Sequence, residues 1–369
     1  MSELVLYRKH RPKSFEEVIG QEHVVGALTN AIKMGKVAHA YLFSGPRGVG
    51  KTTIARLIAK ALNCEENKKP CNSCDSCNSF NQGRAMDLIE IDAASNRGID
   101  EVRQLREGVR SVPAQGKYKV YVIDECHQLT KEAFNALLKT LEEPPAHAVF
   151  ILATTELEKV PATIVSRTQH YDFRRPNVKQ IAERLSLIAK KEGVKLADDG
   201  GRLIALAAEG SMRDGESILG QIMAVEDKEI TRKEVEEILG FPRREAAKKM
   251  FELIAQKNTP EALALVQELH DSGYDLVYFS KLLMQYFRNA LFLKIESNST
   301  AADSALKKFV ELEILPDELE CIGANIHAFS DAELSRGVNI IFQNLQQFRK
   351  TPIPQLPLEL TVIELIQTH

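Results

Sequence analysis

The sequence lacks a long apolar segment and an apolar leader. Its longest stretches without Asp, Glu, Lys or Arg are 12 residues long, at Pro144–Thr155 and Gly337–Phe348, whereas a membrane-spanning helix needs about 20 apolar residues. The N-terminus reads MSELVLYRKHRPKS, in which charges are scattered and no apolar core occurs. It therefore does not resemble a secretory signal. We predict a cytoplasmic protein with no membrane partner.

An excess of positive charge is also missing. The 369 residues include 48 Lys and Arg against 51 Asp and Glu, which gives a net charge of −3. Charge alone therefore does not indicate a nucleic-acid binder, and any contact with DNA must come from a local basic surface. The hydrophobic fraction of 44% and the charged fraction of 27% are those of a globular protein, so wholesale disorder and a coiled-coil fibre are excluded. At about 100–200 residues per domain, the length predicts two or three domains.

Apolar runs alternate with amphipathic helical patterns in the first half of the chain. The clearest helix is 131–143, which has one apolar face and stops at Pro144-Pro145. Strands that alternate with helices predict a parallel sheet covered on both faces. The predicted strands are 38–43, 87–91, 119–123, 148–153 and 169–173.

Strand signals disappear after Pro176. A plausible linker, Gly240-Phe241-Pro242, separates two helical regions. We expect an α/β domain over 1–176, a small helical domain over 177–240 and a third helical domain over 243–369. The predicted helices are Ile181–Ala189, Leu203–Glu209, Arg213–Val225 and Arg232–Leu239, followed by runs around 244–256, 260–271, 275–294 and 331–350.

A glycine-rich segment lies between the first predicted strand and a helical pattern, which is the context that a phosphate-binding loop requires. Backbone N–H groups of such a loop surround phosphate oxygens, and the following helix contributes its N-terminal dipole. Lys51 would reach the β- and γ-phosphates, and the Thr52 hydroxyl would bind Mg²⁺. The predicted nucleotide-binding residues here are Gly45, Pro46, Arg47, Gly48, Val49, Gly50, Lys51, Thr52 and Thr53.

Two acidic residues, Asp124 and Glu125, end the third predicted strand. Ligands of parallel sheets bind at the carboxyl ends of the strands. Asp124 is therefore expected to hold Mg²⁺, directly or through water, and Glu125 to act as the general base that activates water. The alternative is a solvated acidic turn. Thr154 and Thr155 end the fourth strand, where a hydroxyl could orient that water.

Four cysteines fall within 14 residues, in the order Cys64, Cys71, Cys74 and Cys77. Four thiolates in a short polar loop suit one tetrahedral Zn²⁺. A redox role for one CxxC pair would leave the other thiols unused, so we favour a structural zinc site with no open position. Cys126 and Cys321 stand alone and are expected to be small buried apolar residues.

Taken together, these motifs resemble those of the gamma/tau family of bacterial DNA polymerase III clamp-loader subunits, which are AAA+ ATPases. The resemblance extends over nearly the whole chain and includes the four-cysteine insertion. It rests on the segments 7–24, 39–53, 88–103, 119–129, 134–145, 151–156, 166–168 and 210–214.

The resemblance implies roles for further residues. Segment 7–20 would lie over the adenine, and Thr155 would be the sensor-1 hydroxyl. Arg213 would be the sensor-2 arginine that reaches the γ-phosphate. Arg167 would be the arginine finger that enters a neighbouring subunit's site. Glu216 replaces an apolar residue of the family pattern, so it is expected to be exposed or paired.

By the same resemblance, residues 1–176 form an AAA+ domain, 177–240 a lid, and 243–369 the collar through which five subunits assemble. The implied function is an ATP-driven motor that loads a sliding clamp onto primer–template DNA, with ATP, Mg²⁺ and structural Zn²⁺ as cofactors. Lys and Arg within 95–117 are the first candidates for DNA contact. Two alternatives stay open: a branch-migration helicase, which would need a C-terminal winged helix, and a nucleotide-binding scaffold without turnover.

Overall fold

The computed structural model describes residues 5–96, 98, 105, 107–225, 228–239, 244–297, 306, 309–311 and 314–368. The chain forms two compact units. One contains Met1–Ile188 and Ala207–Gly220, and the other contains Ala189–Leu206 and Gln221–His369. Within the described residues, no helix has the length and apolar character that crossing a membrane requires.

A five-stranded parallel sheet forms the centre of the first unit, with strand order β2-β3-β4-β1-β5. Every residue of β1 and β4 is buried, as expected for central strands covered on both faces. The predicted parallel α/β fold is therefore confirmed. The strands are β1 (Ala40–Ser44), β2 (Leu88–Asp92), β3 (Lys119–Asp124), β4 (Ala148–Thr154) and β5 (Gln169–Asp172).

Helices cover the two faces of this sheet. Neighbouring strand residues point to opposite faces, so Phe43 belongs to one apolar cluster while Leu42 belongs to the other. Ile151 and Leu152 divide in the same way. The helices of this part of the chain are α1 (Leu6–Lys9), α2 (Glu22–Lys33), α3 (Lys51–Leu62), α4 (Asp75–Asn81), α5 (Lys131–Glu142) and α6 (Ala162–Val165).

Four helices follow the sheet, close to their predicted positions: α7 (Val178–Glu192), α8 (Asp198–Ala207), α9 (Met212–Met223) and α10 (Arg232–Leu239). The expectation that no strand follows Pro176 was wrong. Two short strands, β6 (Lys195–Leu196) and β7 (Glu229–Ile230), pair in parallel. Strands of two residues are too short to give a period-2 pattern, so the sequence carries no signal for them.

The C-terminal region is helical, as predicted. Its core contains five buried aromatic residues, Phe251, Phe279, Tyr286, Phe287 and Phe329. The predicted linker at 240–242 lies outside the described residues, and the three domain boundaries stay a prediction. The helices are α11 (Arg244–Ala255), α12 (Thr259–Asp271), α13 (Leu276–Ser297), α14 (Pro316–Asn325), α15 (Asp331–Leu345) and α16 (Leu356–Thr368).

Candidate nucleotide and metal sites

The glycine-rich loop connects β1 to α3 and has a backbone that its glycines make possible. Gly45 and Gly48 have φ values of 137° and 76°, in the left-handed region. A Cβ on Gly48 would overlap the Ser211 hydroxyl, and a Cβ on Gly45 would overlap the Phe173 carbonyl oxygen. Substitution at either position would therefore bring both backbone strain and a clash.

Lys51 begins α3 and is held inside the loop. Its Nζ donates to the carbonyl oxygens of Gly45, at 2.6 Å, and Pro46, at 2.7 Å. The side chain is only 6% exposed. Burial lowers the pKa of Lys51, while the Glu125 and Asp124 carboxylates act in the opposite direction. The ammonium therefore lies at the loop's centre, in position to meet a phosphate.

Thr52 and Asp124 meet across the end of the sheet. The Thr52 hydroxyl donates to Asp124 Oδ2 at 2.8 Å, although 72 residues separate the two. One hydroxyl and one carboxylate are oxygen donors of the kind that Mg²⁺ prefers. Both residues also line the adjoining cavity. The predicted pair of Mg²⁺ ligands thus fits the ion by its donor set.

Glu125 follows β3 with a left-handed backbone, at φ 47° and ψ 44°. This conformation is costly for a residue with a side chain, and residues that adopt it cluster at functional sites. Its Oε2 accepts a hydrogen bond from the Thr155 hydroxyl at 2.9 Å. The two residues that sequence reasoning assigned as base and sensor are therefore in direct contact.

A buried histidine completes this cluster, although no motif in the sequence pointed to it. His127 Nδ1 lies 2.9 Å from Thr154 Oγ1 and 3.4 Å from Glu125 Oε2. Its Nε2 lies 3.1 Å from Glu156 Oε1, and the side chain is 4% exposed. The only available signal was a histidine two residues after the acidic pair. A lone histidine at that place also fits a core position, so the sequence did not indicate a site.

A cavity of about 840 Å³ opens beside the loop, within the size range of ligand sites. The N-terminal segment contributes seven lining residues, from Tyr7 to Ile19, and its implied place over an adenine stays a prediction. Arg213 also lines it, with its guanidinium 4.6 Å from the centre of the Tyr7 ring. Hydrogen bonding to Arg213 and Arg8 lowers the pKa of Tyr7. The cavity residues from the loop, from β3 and from the position after β3 are Arg47, Gly48, Val49, Gly50, Lys51, Thr52, Thr53, Val122, Asp124 and Glu125.

Glu216 lies on α9 at the same cavity, paired with Arg184 of α7. Glu216 Oε1 is 3.5 Å from Arg184 Nε, and the two side chains are 7% and 8% exposed. Arg184 Nη2 also donates to the His10 carbonyl oxygen. Burial raises the pKa of Glu216 to about 7, and the charge of Arg184 offsets this only in part. Of the two expectations for Glu216, the structure gives the paired one.

Arg167 stands apart from this cavity and is not among the residues that line it. It follows α6, and its Nη2 lies 2.8 Å from Glu142 Oε1 on α5. Its Nη1 donates to the Thr163 carbonyl oxygen at 2.9 Å. The helix before it is short, with Pro161 as its N-cap residue and Ser166 as its C-cap residue. A role toward a neighbouring subunit stays a prediction.

The four predicted metal ligands lie together. The sulfur atoms of Cys64, Cys71, Cys74 and Cys77 are all within 4.8 Å of one another. Cys71 and Cys77 Sγ are 3.8 Å apart, the separation expected from tetrahedral Zn–S bonds of about 2.3 Å. Hydrogen bonds from Ser73 and Cys74 lower the pKa of the Cys71 thiol to about 6. The cluster therefore fits Zn²⁺ by donor type, number and spacing.

The remaining cysteines are buried, as predicted. Cys126 is 0% exposed and Cys321 is 9% exposed. Burial raises the pKa of each thiol to about 12, so both stay neutral at physiological pH. Neither has the character of a reactive or metal-binding cysteine.

Comparison with known proteins decides the family. Three family models match successive parts of the chain: "DNA polymerase III, delta subunit" over residues 20–177, "DNA polymerase III clamp loader subunit, ATPase lid domain" over 180–227, and "DNA polymerase III subunits gamma and tau domain III" over 230–369. DNA polymerase III subunit gamma of Buchnera aphidicola is 40% identical over 296 residues, which cover 80% of this chain and 82% of that protein. The chain belongs to the gamma/tau family of DNA polymerase III clamp-loader subunits.

Other gamma/tau-family members are longer than this chain. DNA polymerase III subunit tau of Bacillus subtilis is 40% identical over 370 residues, and the match covers 100% of this chain but 64% of that protein. Among solved structures, the RuvB Holliday junction branch migration motor of Thermotoga maritima is 23% identical with a TM-score of 0.49, covering 66% of this chain and 78% of that one.

The gamma/tau-family match over 230–369 also bears on the helicase alternative. A winged helix requires a strand hairpin, and the described residues between 244 and 368 contain helices but no strand.

Of the basic residues in 95–117, Arg97, Arg103 and Arg106 lie outside the described residues. Arg110 and Lys117 are exposed, so they are free of the core and available to a partner.

Proposed function

We propose that this gamma/tau-family chain is an ATPase motor subunit of the DNA polymerase III clamp loader. It would use ATP binding and hydrolysis to load a sliding clamp onto primed DNA during replication in the cytoplasm. The observation that carries the proposal is a pair of hydrogen bonds at the carboxyl end of the sheet. Thr52 bonds to Asp124, and Thr155 bonds to Glu125, beside a buried Lys51. Binding and hydrolysis of a nucleoside triphosphate need this combination.

The residues of the cavity, together with Thr155 beside Glu125, divide the work of hydrolysis. Loop N–H groups and the Lys51 ammonium would bind the β- and γ-phosphates. Thr52 and Asp124 would hold Mg²⁺, which when bound neutralises negative charge on the phosphate oxygens. Glu125 would accept the proton of the attacking water, and Thr155 would fix the orientation of that carboxylate. Arg213 would place a further positive charge at the γ-phosphate.

Assembly would bring a further positive charge, from Arg167 of a neighbouring subunit, to the γ-phosphate. Arg167 is 36% exposed at its side chain and lies off its own cavity, which favours action on the next subunit's nucleotide. The isolated chain is then a poor ATPase, because an arginine finger contributes on the order of 10³–10⁵ in rate. Partners in this account are other clamp-loader subunits in a pentameric assembly, the sliding clamp and primer–template DNA. Zn²⁺ at the four cysteines would be structural.

Reconstitution with partner clamp-loader subunits tests this function. Phosphate release should rise when sliding clamp and primer–template DNA are both added, and clamps should accumulate on the DNA. An assembly built with Glu125→Gln is the matched control, because it keeps the shape of the site and loses the base. Nucleotide binding without phosphate release under every condition would refute the motor and support the scaffold alternative.

A further inference from the structure

Lys60 is a buried lysine on α3, the helix that follows the phosphate-binding loop. It is 3% exposed. Its ammonium donates to the Lys13 carbonyl oxygen at 3.0 Å, to Asn81 Oδ1 at 2.6 Å and to Asn72 Oδ1. Three N–H donors therefore have three acceptors. Full burial of a lysine is costly, so this arrangement needs a compensating gain.

Two of the acceptors belong to the cysteine loop. Asn72 lies between Cys71 and Cys74, and its positive φ of 64° turns the chain within the loop. Asn81 is the last residue of α4, the short helix that carries Cys77. The position of both amides is therefore set by whatever holds the four cysteines together.

The third acceptor belongs to the segment over the nucleotide cavity. Lys13 follows Pro12, which lines the cavity, and the Lys13 N–H donates to Glu17 Oε2 at 2.9 Å. Glu17 and Val18 also line the cavity. Lys60 thus connects the cysteine loop directly to the backbone of the 12–18 segment.

Charge supports the same connection. All three acceptors of Lys60 are neutral, so its countercharge must come from elsewhere. Glu17 interacts favourably with it, against the like charge of Lys13, and the Cys77 and Cys71 sulfurs would do so once a bound metal ion deprotonates them. Four thiolates around Zn²⁺ carry a net charge of about −2. A bound ion, with its ordered thiolates, would therefore stabilise the buried ammonium in place.

We propose that Lys60 is a positioning residue that couples metal occupancy of the cysteine loop to nucleotide affinity. With Zn²⁺ bound, the loop fixes Asn72 and Asn81, these fix the ammonium, and the ammonium holds the 12–18 segment over the cavity. Loss of the metal frees the loop and loosens that segment. The inference rests on the proposed nucleotide-binding function and adds a role for the metal in it.

Titration with a fluorescent ATP analogue tests the coupling, on the full chain with Zn²⁺ and after chelation. The wild-type dissociation constant should rise about tenfold on chelation, a typical coupling between sites. Lys60→Met keeps the buried alkyl chain but cannot donate. It should bind the analogue more weakly with Zn²⁺ present, and chelation should cause no further loss. Zinc content, measured by a colorimetric assay, should stay near one ion per chain in this variant.

Two variants at exposed positions test the coupling even if Lys60→Met does not fold. Asn81→Ala removes one acceptor from an exposed residue and should reduce the coupling. Asn78→Ala removes another amide of the same helix, one that donates to the Ser73 carbonyl oxygen and not to Lys60. This variant should leave the coupling intact. Equal loss of affinity on chelation in wild type and Lys60→Met would refute the inference, as would no loss in wild type. If zinc-loaded wild type bound no analogue, the proposed function itself would fail.

Discussion

Glu216→Gln should change the pH dependence of folding. Burial raises the pKa of Glu216 from its ordinary 4.5 to about 7, so the folded chain keeps this proton to a higher pH than the unfolded chain does. Between about pH 4.5 and 7 the folded state binds more protons, and the unfolding free energy therefore falls as pH rises. Each pKa unit corresponds to about 1.4 kcal/mol, so this loss is on the order of 3 kcal/mol.

Urea unfolding of wild type and Glu216→Gln at about pH 5 and about pH 8 measures this effect. Gln has the same shape but does not titrate. The unfolding free energy of the variant, relative to wild type, should therefore increase by about 2–3 kcal/mol between the two pH values. Glu183→Gln, on a 62% exposed side chain beside Arg184, is the matched control and should keep the wild-type slope. A constant difference, or one of opposite sign, would show that pairing with Arg184 outweighs burial.

Three further predictions concern the two sites. Cys74→Ser should lower thermal stability and zinc content more than nucleotide affinity, and metal analysis of freshly purified wild type without zinc would contradict the site. Lys51→Ala should weaken ATP binding sharply, whereas Glu125→Gln should keep binding and slow hydrolysis, so a wild-type rate in Glu125→Gln would exclude it as the base. His127→Ala should slow ATP hydrolysis by the assembly about tenfold, because a contact that orients Glu125 is lost. The affinity for ATP should stay at the wild-type value, and His127→Gln should recover part of the hydrolysis rate.

Much of the fold and the chemistry could be predicted from the sequence. The central strands β1, β3 and β4 carry apolar runs. The glycine-rich loop, Asp124 and the four cysteines have spacings that are typical of a phosphate-binding loop, a Mg²⁺ ligand and a zinc site. These signals are local, because each motif occupies adjacent residues. Thr52 and Asp124 were each predicted as a Mg²⁺ ligand, and they meet because the carboxyl ends of parallel strands lie at one edge of the sheet.

What escaped prediction depends on long-range contacts between ordinary residues. Lys60 falls in an amphipathic helix, where a lysine usually marks the solvated face, yet it is buried against the cysteine loop. Arg184 and Glu216 lie 32 positions apart on different helices, and no pattern joins them before the chain is folded. The sequence did not reveal a partner for His127, because Glu156, which it contacts, follows a different strand, β4.

The central claim is that each site hydrolyses ATP with an arginine from the neighbouring chain. A mixture of two inactive variants, Lys51→Ala and Arg167→Ala, tests it most directly through phosphate release by the assembled complex. Where an Arg167→Ala site faces the intact arginine of a Lys51→Ala neighbour, both required groups are present, so the mixture should regain activity that neither variant has alone. If Arg167 acted on its own chain's nucleotide, no mixed site would be complete. Failure of the mixture to release phosphate would contradict the account.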